Sequence, residues 1–260
     1  MSSKTKNNPP IAIVGAGPGD VELITMKGRR LLDEADCIVY AGSLVNKRLL
    51  DGCKAAIHDS QGMDLDEIIT ILSTAWNEGK SVVRLHTGDP SIFGAIKEQM
   101  QTLDTLGIPY YVVPGVSSAF GAAASLNAEL TLPEVAQTVI ITRQEGRTPV
   151  PELEKLQLLA SHQTTMLIFL SVSMIDKVVQ ELIAGGYPWD TPVAVVEKAT
   201  WEDETILLGS LRTIAEKVEV AGIRKTALIC VGKVFADTDL EAVSKLYDRS
   251  FSHGTRTAQK

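Results

Sequence analysis

The chain has 260 residues, of which 45% are hydrophobic and 22% charged, and its formal net charge is −7. This length is enough to bury a substantial core in one large domain or two smaller ones. The composition excludes a disordered protein, a collagen and a small disulfide scaffold. The acidic balance argues against a broad nucleic-acid or anionic-membrane surface, although a local basic cluster could still bind a small acidic ligand.

The N-terminus and the cysteines bear on location and metal binding. The opening MSSKTKNNPP is polar and lacks the apolar core of a signal peptide, and no apolar run reaches the roughly 18 residues of a membrane helix. We therefore expect a cytoplasmic protein. Cys37 and Cys230 lie in apolar runs, which predicts buried thiols. Because the sequence has no CxxC, no HExxH and no tight His/Cys cluster, no metal site is predicted.

An alternation of apolar runs with amphipathic stretches predicts an α/β fold. The first half contains predicted strands at 11–14, 37–40, 81–85 and 110–113, and predicted helices at 22–34, 64–78, 92–106 and 116–126. The second half contains predicted strands at 138–142, 166–170, 193–196, 204–208 and 227–231, and a predicted helix at 173–184.

These elements predict two α/β lobes with mixed sheets and an active-site cleft between them. The strands between residues 193 and 208 are closely spaced, which favours a hairpin and therefore a mixed sheet. We place the N-terminal domain at 11–115 and the C-terminal domain at 116–240. A flexible N-terminal tail (1–10) and a polar C-terminal tail (241–260) flank them.

The first candidate ligand loop is GAGPGD (15–20), which follows a strand and precedes a helix. Its glycines allow a sharp turn and a close approach to a ligand. A dinucleotide fingerprint needs a third glycine where Asp20 stands, and Pro18 removes one N–H donor. The loop therefore favours a ligand other than a nicotinamide cofactor, with a plain tight turn as the alternative.

The second candidate loop is HTGDPSIFG (86–94), again between a strand and a helix. Asp89 precedes a proline, which favours an extended conformation at that residue. From there its carboxylate could cap the next helix, or it could accept hydrogen bonds from a ligand amine or ribose.

The third candidate loop is VPGVSS (113–118), which leads into an alanine-rich helix. Ser117 or Ser118 could cap that helix, or the small residues could let a flat ligand lie against the backbone. There is no GxSxG elbow, so a serine hydrolase is disfavoured.

Taken together and in this order, the three loops resemble the tetrapyrrole (corrin/porphyrin) C-methyltransferase family, which uses S-adenosylmethionine. GAGPGDVELITMKGRRLLDEAD is similar to the family's first signature and RLHTGDPSIFGAIKEQM to its second. The resemblance extends over about residues 11–235. It implies a fold of two α/β domains with the active site in their cleft, and a homodimer.

Other segments are similar to one branch of that family, which methylates C11 of precorrin-4 or cobalt-precorrin-4. These segments are YAGSLV (40–45), SQGM (60–63), ELTLPEVAQTVIITRQEGRTPVPELEKL (129–156) and DTPVAVVEKATWEDE (190–204). The uroporphyrinogen III branch typically has an Asp-Arg pair where Ala41-Gly42 stand here, and a GGDP loop where this chain has TGDP. Both departures favour the C11 branch.

The resemblance also implies a set of binding residues. The implied cofactor-binding positions are Pro18, Thr87, Gly88, Asp89, Ile92, Ser117, Ser118, Leu170 and Ala199. The implied substrate is a tetrapyrrole with several carboxylate arms, which forked arginine side chains suit well. The candidates for this role are Arg84, Arg143, Arg147, Lys27 and Lys198. The favoured carboxylate site is the loop from Thr142 to Thr148, and the alternative is an ordinary solvated loop. Met63 could pack on the macrocycle or in the core.

Methyl transfer from a sulfonium needs positioning and exclusion of water more than a metal or a covalent intermediate. No catalytic base is therefore assigned. His86, Asp59 or Glu129 could accept a proton, although a structural or substrate-positioning role is favoured for each. The alternatives are methylation at another ring position or of a protein residue, a tetrapyrrole-binding protein without activity, and a nicotinamide-dependent oxidoreductase, for which only Asp36 stands near the place of the ribose-binding acid.

Overall fold

The structure, a computed structural model, describes residues 8–236, 249–252 and 254–257. The predicted tails, 1–10 and 241–260, lie largely outside these residues. The chain divides into two compact units. The first unit is Met1–Gly121 with Thr200–Glu202, and the second is Ala122–Ala199 with Asp203–Lys260.

The first unit contains a five-stranded parallel sheet. Its strands are β1 (Ile11–Gly15), β2 (Cys37–Tyr40), β3 (Ala56–Asp59), β4 (Val82–His86) and β5 (Tyr110–Val113), in the order β3-β2-β4-β1-β5. The three central strands are buried along their whole length, in keeping with their mostly apolar sequences, which Arg84 and His86 of β4 interrupt. Because all five strands are parallel, the loops that follow β1, β4 and β5 leave the same edge of the sheet.

Helices α1 (Met26–Asp33), α2 (Leu65–Asn77) and α3 (Ile96–Thr105) also belong to the first unit. Asp64 and Glu67 form a capping box at the start of α2, so each side chain accepts a hydrogen bond from the other's backbone N–H. The buried residues form two apolar clusters, one around Val14 and Leu85 and the other around Leu72 and Leu103.

Three local predictions in this unit are wrong in detail. The helix predicted at 22–34 begins only at Met26, after a short 3₁₀ turn over Val21–Leu23. The helix predicted at 92–106 begins at Ile96, because Phe93 and Ala95 adopt positive φ angles of 53° and 48°. The edge strand β3 was not predicted, since its residues are only partly buried and lack a clear apolar pattern.

The second unit contains a mixed sheet. Its strands are β6 (Val139–Arg143), β7 (Thr165–Phe169), β8 (Pro192–Glu197), β9 (Thr205–Ser210) and β10 (Ala227–Val231), in the order β6-β7-β10-β8-β9. Strands β6 and β7 are parallel and the other pairings are antiparallel, including the β8–β9 hairpin. The mixed sheet predicted from the strand spacing is therefore confirmed.

The second unit contains helices α5 (Leu156–Ala160), α6 (Ile175–Ala184) and α7 (Ile214–Ala221). Helix α4 (Ser118–Ser125) begins in the first unit and ends in the second. Helices α5, α6 and α7 contribute side chains to one large apolar cluster with the sheet. Cys37 and Cys230 are buried thiols, as predicted. Among the described residues, no helix has the length and apolar character needed to cross a membrane.

Candidate functional site

The loops that follow β1, β4 and β5 form one continuous structure. Gly17 and Gly88 make an antiparallel bridge, in which the Gly88 N–H donates to the Gly17 carbonyl at 2.9 Å. The N–H of Ala16 donates to the carbonyl of His86 at 2.7 Å. The N–H of Gly115 donates to Oδ2 of Asp89 at 2.9 Å. The three motifs predicted separately from the sequence are thus brought together at the carboxyl edge of the sheet.

Glycines make this close packing possible. A Cβ atom on Gly115 would lie 2.2 Å from the carbonyl oxygen of Gly88, and a Cβ on Gly15 would lie 2.6 Å from the same oxygen. Neither position accepts a side chain without movement of the backbone. Gly15 and Gly115 therefore allow the ends of β1 and β5 to approach the loop after β4 closely.

The glycine loop offers few free N–H groups to a ligand. The N–H of Ala16 is bonded to His86 at the end of β4, the N–H of Gly17 is bonded to Gly88 in the loop that follows, and Pro18 has no N–H. The N–H of Asp20 donates to Oγ1 of Thr200 at 3.0 Å. A dinucleotide pyrophosphate needs such groups unpaired. The geometry therefore argues against the nicotinamide alternative.

Asp89 connects two of the three loops. Its Oδ1 accepts from the N–H and the hydroxyl of Ser91, and its Oδ2 accepts from Gly115. Burial opposes ionisation of the carboxyl, but these hydrogen bonds outweigh it and hold the pKa of Asp89 below its ordinary value. The helix-cap alternative is wrong, because α3 begins seven residues later at Ile96. Asp89 is a partly exposed anion with capacity for a further hydrogen bond.

Backbone strain marks two of the predicted cofactor segments. Leu170 follows β7 with a φ of 54° and is 67% exposed, so the strand predicted at 166–170 ends one residue earlier. Phe93, beside the half-buried Ile92, has a φ of 53° and is 46% exposed. Strained backbone and exposed apolar side chains both occur at functional sites, so these two features are consistent with a ligand site here.

The remaining predicted cofactor residues are small and mostly covered. Ser117 is buried, and its Oγ accepts from the N–H of Ala119 at 3.3 Å at the start of α4. The capping alternative is therefore confirmed for Ser117. Thr87 and Ser118 are half-buried, and Ala199, in the second unit, is buried.

Arg84 lies in a buried polar network. Its Nε donates to Oε1 of Gln99 at 3.1 Å, and its Nη1 donates to the carbonyl of Val39 at 3.2 Å and to Oγ of Ser60 at 3.1 Å. No carboxylate pairs with it within the described part of the chain. Burial lowers the pKa of Arg84 to about 10. Only 4% of Arg84 is exposed, so its side chain has little surface with which to bind a substrate, and its predicted role is not supported.

His86 lies beside this network and is also 4% exposed. Its Nε2 is buried and has no hydrogen-bond partner among the described residues. Burial, and then the charge of Arg84, lower the pKa of His86 to about 3, against a smaller opposing contribution from Gln99. The imidazole is therefore neutral at physiological pH and a weak proton acceptor.

The other two candidate proton acceptors are no better placed. Asp59 accepts from the N–H of Gln61 at 2.9 Å and from the hydroxyl of Tyr40 at 2.8 Å. These two hydrogen bonds lower the pKa of Asp59. Glu129 is exposed. The geometry assigns no catalytic base.

The two arginines predicted to bind carboxylates, Arg143 and Arg147, lie in different environments. Arg143 donates to the carbonyls of Thr148 at 3.2 Å and Pro149 at 2.7 Å, so it holds its own loop in shape. Arg147 is exposed and forms no ion pair within the described ranges. The two residues have different environments, and Arg147 is the more accessible to a ligand.

The three remaining predicted residues all have protein partners. Lys27 lies over the ring of Tyr111, with Nζ 4.8 Å from the centroid. Lys198 pairs with Asp203. Met63 is partly buried against the apolar cluster around Leu72, which supports a core role for it.

Sequence reasoning missed several residues that shape these loops. Gln99 joins the Arg84 network from α3, and Phe93 and Ala95 carry positive φ angles. Trp201 donates from Nε1 to the carbonyl of Pro18 at 2.9 Å. The one available signal was a tryptophan directly before three acidic residues in TWEDE, a position where a solvated loop rarely holds one.

Comparison with known proteins identifies the class. The model of the tetrapyrrole (corrin/porphyrin) methylases matches residues 10–215, and the chain belongs to this family. It is 61% identical over 256 residues to a cobalt-precorrin-4 C(11)-methyltransferase of Methanocaldococcus jannaschii, with 98% of each chain covered. The predicted family and fold are thus confirmed.

Two solved structures extend the comparison. The X-ray structure of a cobalamin biosynthetic enzyme, cobalt precorrin-4 methyltransferase, matches with a TM-score of 0.85 and 48% identity, covering 87% of this chain and 95% of that one. A uroporphyrin-III C-methyl transferase from Thermus thermophilus, complexed with S-adenosylhomocysteine, matches with a TM-score of 0.74 and 29% identity, covering 87% and 98%.

Proposed function

We propose that this chain is an S-adenosylmethionine-dependent C-methyltransferase that methylates C11 of cobalt-precorrin-4 or precorrin-4 during corrin-ring biosynthesis. The observation that carries the proposal is the 61% identity, over 98% of both chains, to the Methanocaldococcus jannaschii relative named for this reaction. The structure also supports the proposal. The joined loops after β1, β4 and β5 hold seven of the nine predicted cofactor residues.

The chemistry of the predicted cofactor residues fits a sulfonium ligand. Asp89 is the only charged residue among the nine, and it is an anion at neutral pH. A carboxylate suits a cationic sulfonium compound with amine and ribose groups, whereas a polyphosphate needs cations or free N–H groups.

S-adenosylmethionine, when bound, supplies an electrophilic methyl group. The contribution of the chain is to orient the two reactants and exclude water from the reacting atoms. Asp89, with Ser91 and Gly115, fixes the arrangement of two loops around the cofactor position. His86 is buried and neutral at physiological pH, so it adds no positive charge at the end of β4. No side chain is assigned the removal of a substrate proton.

The substrate is recognised through its carboxylates. Arg147 binds one of them by a charge-assisted hydrogen bond, since its guanidinium is exposed. Arg143 supports this role by donating to the carbonyls of its own loop. We also propose a homodimer in the cytoplasm. Light scattering would find twice the mass of one chain, and the mass of a single chain would contradict the dimer.

The test is an anaerobic incubation of the protein with methyl-labelled S-adenosylmethionine and either cobalt-precorrin-4 or precorrin-4. Mass spectrometry detects one added methyl group and NMR places it. A label at C11 supports the proposal, and the ratio of the two rates identifies the preferred substrate. A label at another ring position, or none from protein that binds S-adenosylhomocysteine, contradicts the C11 assignment.

Methylation at the position used by uroporphyrinogen III enzymes is the second candidate. The similarity in fold to the Thermus thermophilus enzyme favours it, although the identity is only 29%. Incubation with uroporphyrinogen III in parallel distinguishes the two.

A further inference from the structure

A short segment, Thr200–Glu202, packs on the glycine loop within the first unit. The indole Nε1–H of Trp201 donates to the carbonyl of Pro18 at 2.9 Å. Oγ1 of Thr200 accepts from the N–H of Asp20 at 3.0 Å. Consecutive residues of the segment therefore bind both sides of Gly19.

Gly19 itself lies against the indole ring. A Cβ on Gly19 would lie 2.0 Å from Cδ1 and 2.3 Å from Nε1 of Trp201, which no side chain could accommodate. The carbonyl of Gly19 accepts from Nδ2 of Asn46 at 2.9 Å. Contact with the ring and this hydrogen bond leave the Gly19 peptide little freedom to rotate.

Pro18 is confined from a second side as well. A Cβ on Gly121, in α4, would lie 2.9 Å from Cβ of Pro18, so the proline ring packs directly on the helix backbone. Pro18 is buried, it has no N–H, and its carbonyl is bonded to Trp201, so its position is set by these contacts.

The segment that carries Trp201 is held under strain. Thr200 has a φ of 69°, a conformation that a β-branched residue adopts only when its surroundings enforce it. Glu202 forms an ion pair with Arg48, which anchors the other end. A strained backbone conformation of this kind persists only where the surrounding structure holds it in place.

We propose that Trp201 is a positioning residue for the cofactor: by bonding the Pro18 carbonyl and covering Gly19, it fixes the glycine loop in the conformation that binds S-adenosylmethionine. The inference rests on the proposed function, because it takes that cofactor as the ligand of the loop. It assigns to Trp201 an effect on cofactor affinity that is separate from its effect on folding.

The chain offers a matched control. Nε1 of Trp76 also donates to a proline carbonyl, that of Pro9, at 2.9 Å, and it does so in the same unit but away from the three loops. Trp201→Phe and Trp76→Phe therefore remove the same kind of hydrogen bond while keeping an aromatic ring. Trp201→Ala removes the ring as well.

Titration calorimetry with S-adenosylhomocysteine measures the affinity of each variant, and thermal melting measures its stability. Trp201→Phe should weaken binding about 3–10-fold, the range of one lost hydrogen bond, and Trp201→Ala should weaken it more. Trp76→Phe should stay within about twofold of wild type even where its melting temperature falls. Equal affinity in wild type and both Trp201 variants would overturn the proposal.

A fluorescence measurement keeps residue 201 native and so does not depend on how well its variants fold. The chain has three tryptophans, and Trp76→Phe with Trp189→Phe leaves Trp201 as the single emitter. Its emission should change on addition of S-adenosylhomocysteine, with the midpoint found by calorimetry. Unchanged emission from a protein that binds the ligand overturns the inference alone, whereas a wild-type protein that does not bind it overturns the proposed function as well.

Discussion

The carboxylate of Asp89 accepts the N–H of Gly115 at 2.9 Å, so a side chain that follows β4 holds the backbone that follows β5. The same carboxylate fixes its own loop through Ser91. One residue therefore sets the spacing of two loops and remains partly exposed to a ligand. This double role makes Asp89 the most informative position for mutation.

Asp89→Ala should weaken the binding of S-adenosylhomocysteine about tenfold or more, because hydrogen bonds to a charged acceptor contribute about 1.5–3 kcal/mol. Asp89→Asn should have an intermediate effect, since one acceptor oxygen remains. Calorimetry measures both. Asp104→Asn is the control, because Asp104 accepts from Tyr110 in the same unit away from the loops. Unchanged affinity in both Asp89 variants would remove Asp89 from the cofactor site.

The lowered pKa of Asp89 predicts a pH dependence of stability. A carboxyl whose pKa is lower in the folded state stabilises the fold above its unfolded pKa of about 3.9, and this contribution is lost as the pH falls through the folded value. Urea unfolding of wild type and Asp89→Asn should therefore differ at pH 5–7, and the difference should shrink as the pH falls below about 3.9. A difference that is constant down to pH 3 would show that ionisation of Asp89 does not stabilise the fold.

The contact between glycine loops predicts unequal effects of two Gly→Ala changes. In Gly115→Ala the new Cβ would lie 2.2 Å from a backbone oxygen, and we expect a loss of about 3 kcal/mol in the free energy of unfolding. Gly107 has a φ of 65° but open space around it, so Gly107→Ala should cost only about 1 kcal/mol. Urea unfolding measures both changes. If both variants lost the same free energy of unfolding, the close contact of Gly115 with the loop after β4 would not constrain the fold.

The buried Arg84–Gln99 hydrogen bond predicts a non-additive pair of mutations. Gln99→Leu leaves the Nε–H of Arg84 buried and unpaired, which should cost about 2–3 kcal/mol. Arg84→Met in the same protein removes the stranded charge and should recover part of that loss. A double-mutant cycle in urea measures the coupling. A double mutant that equals the sum of the single losses would contradict this account of the network.

The two arginines of the β6 loop should differ in kinetics. Arg147→Ala should raise the KM for the tetrapyrrole several-fold and leave the affinity for S-adenosylhomocysteine unchanged, because only a substrate contact is lost. Arg143→Ala should also lower the melting temperature, since Arg143 bonds three carbonyls of its own loop. If steady-state kinetics of Arg147→Ala match wild type, the carboxylate-binding role is wrong.

Local patterns in the sequence were enough to predict much of the fold. Strands 37–40, 110–113 and 227–231 have the bounds that the structure shows, because short apolar runs between turn residues identify strands. The α2 helix was predicted to within one residue at each end, since its apolar period and its capping residues agree. Where these local signals are weak, as at β3 and in the turn before α3, the prediction failed.

The sequence by itself determined the family and the order of the three loops, because both depend on residue types at fixed spacing along the chain. Only the tertiary structure decided what those residues touch. Trp201 and Pro18 are 183 residues apart, and no periodicity relates them. Arg84, predicted to bind substrate, lies buried among neutral acceptors instead. Hydrogen bonding and burial depend on distance in space, which the spacing of residues along a chain does not specify.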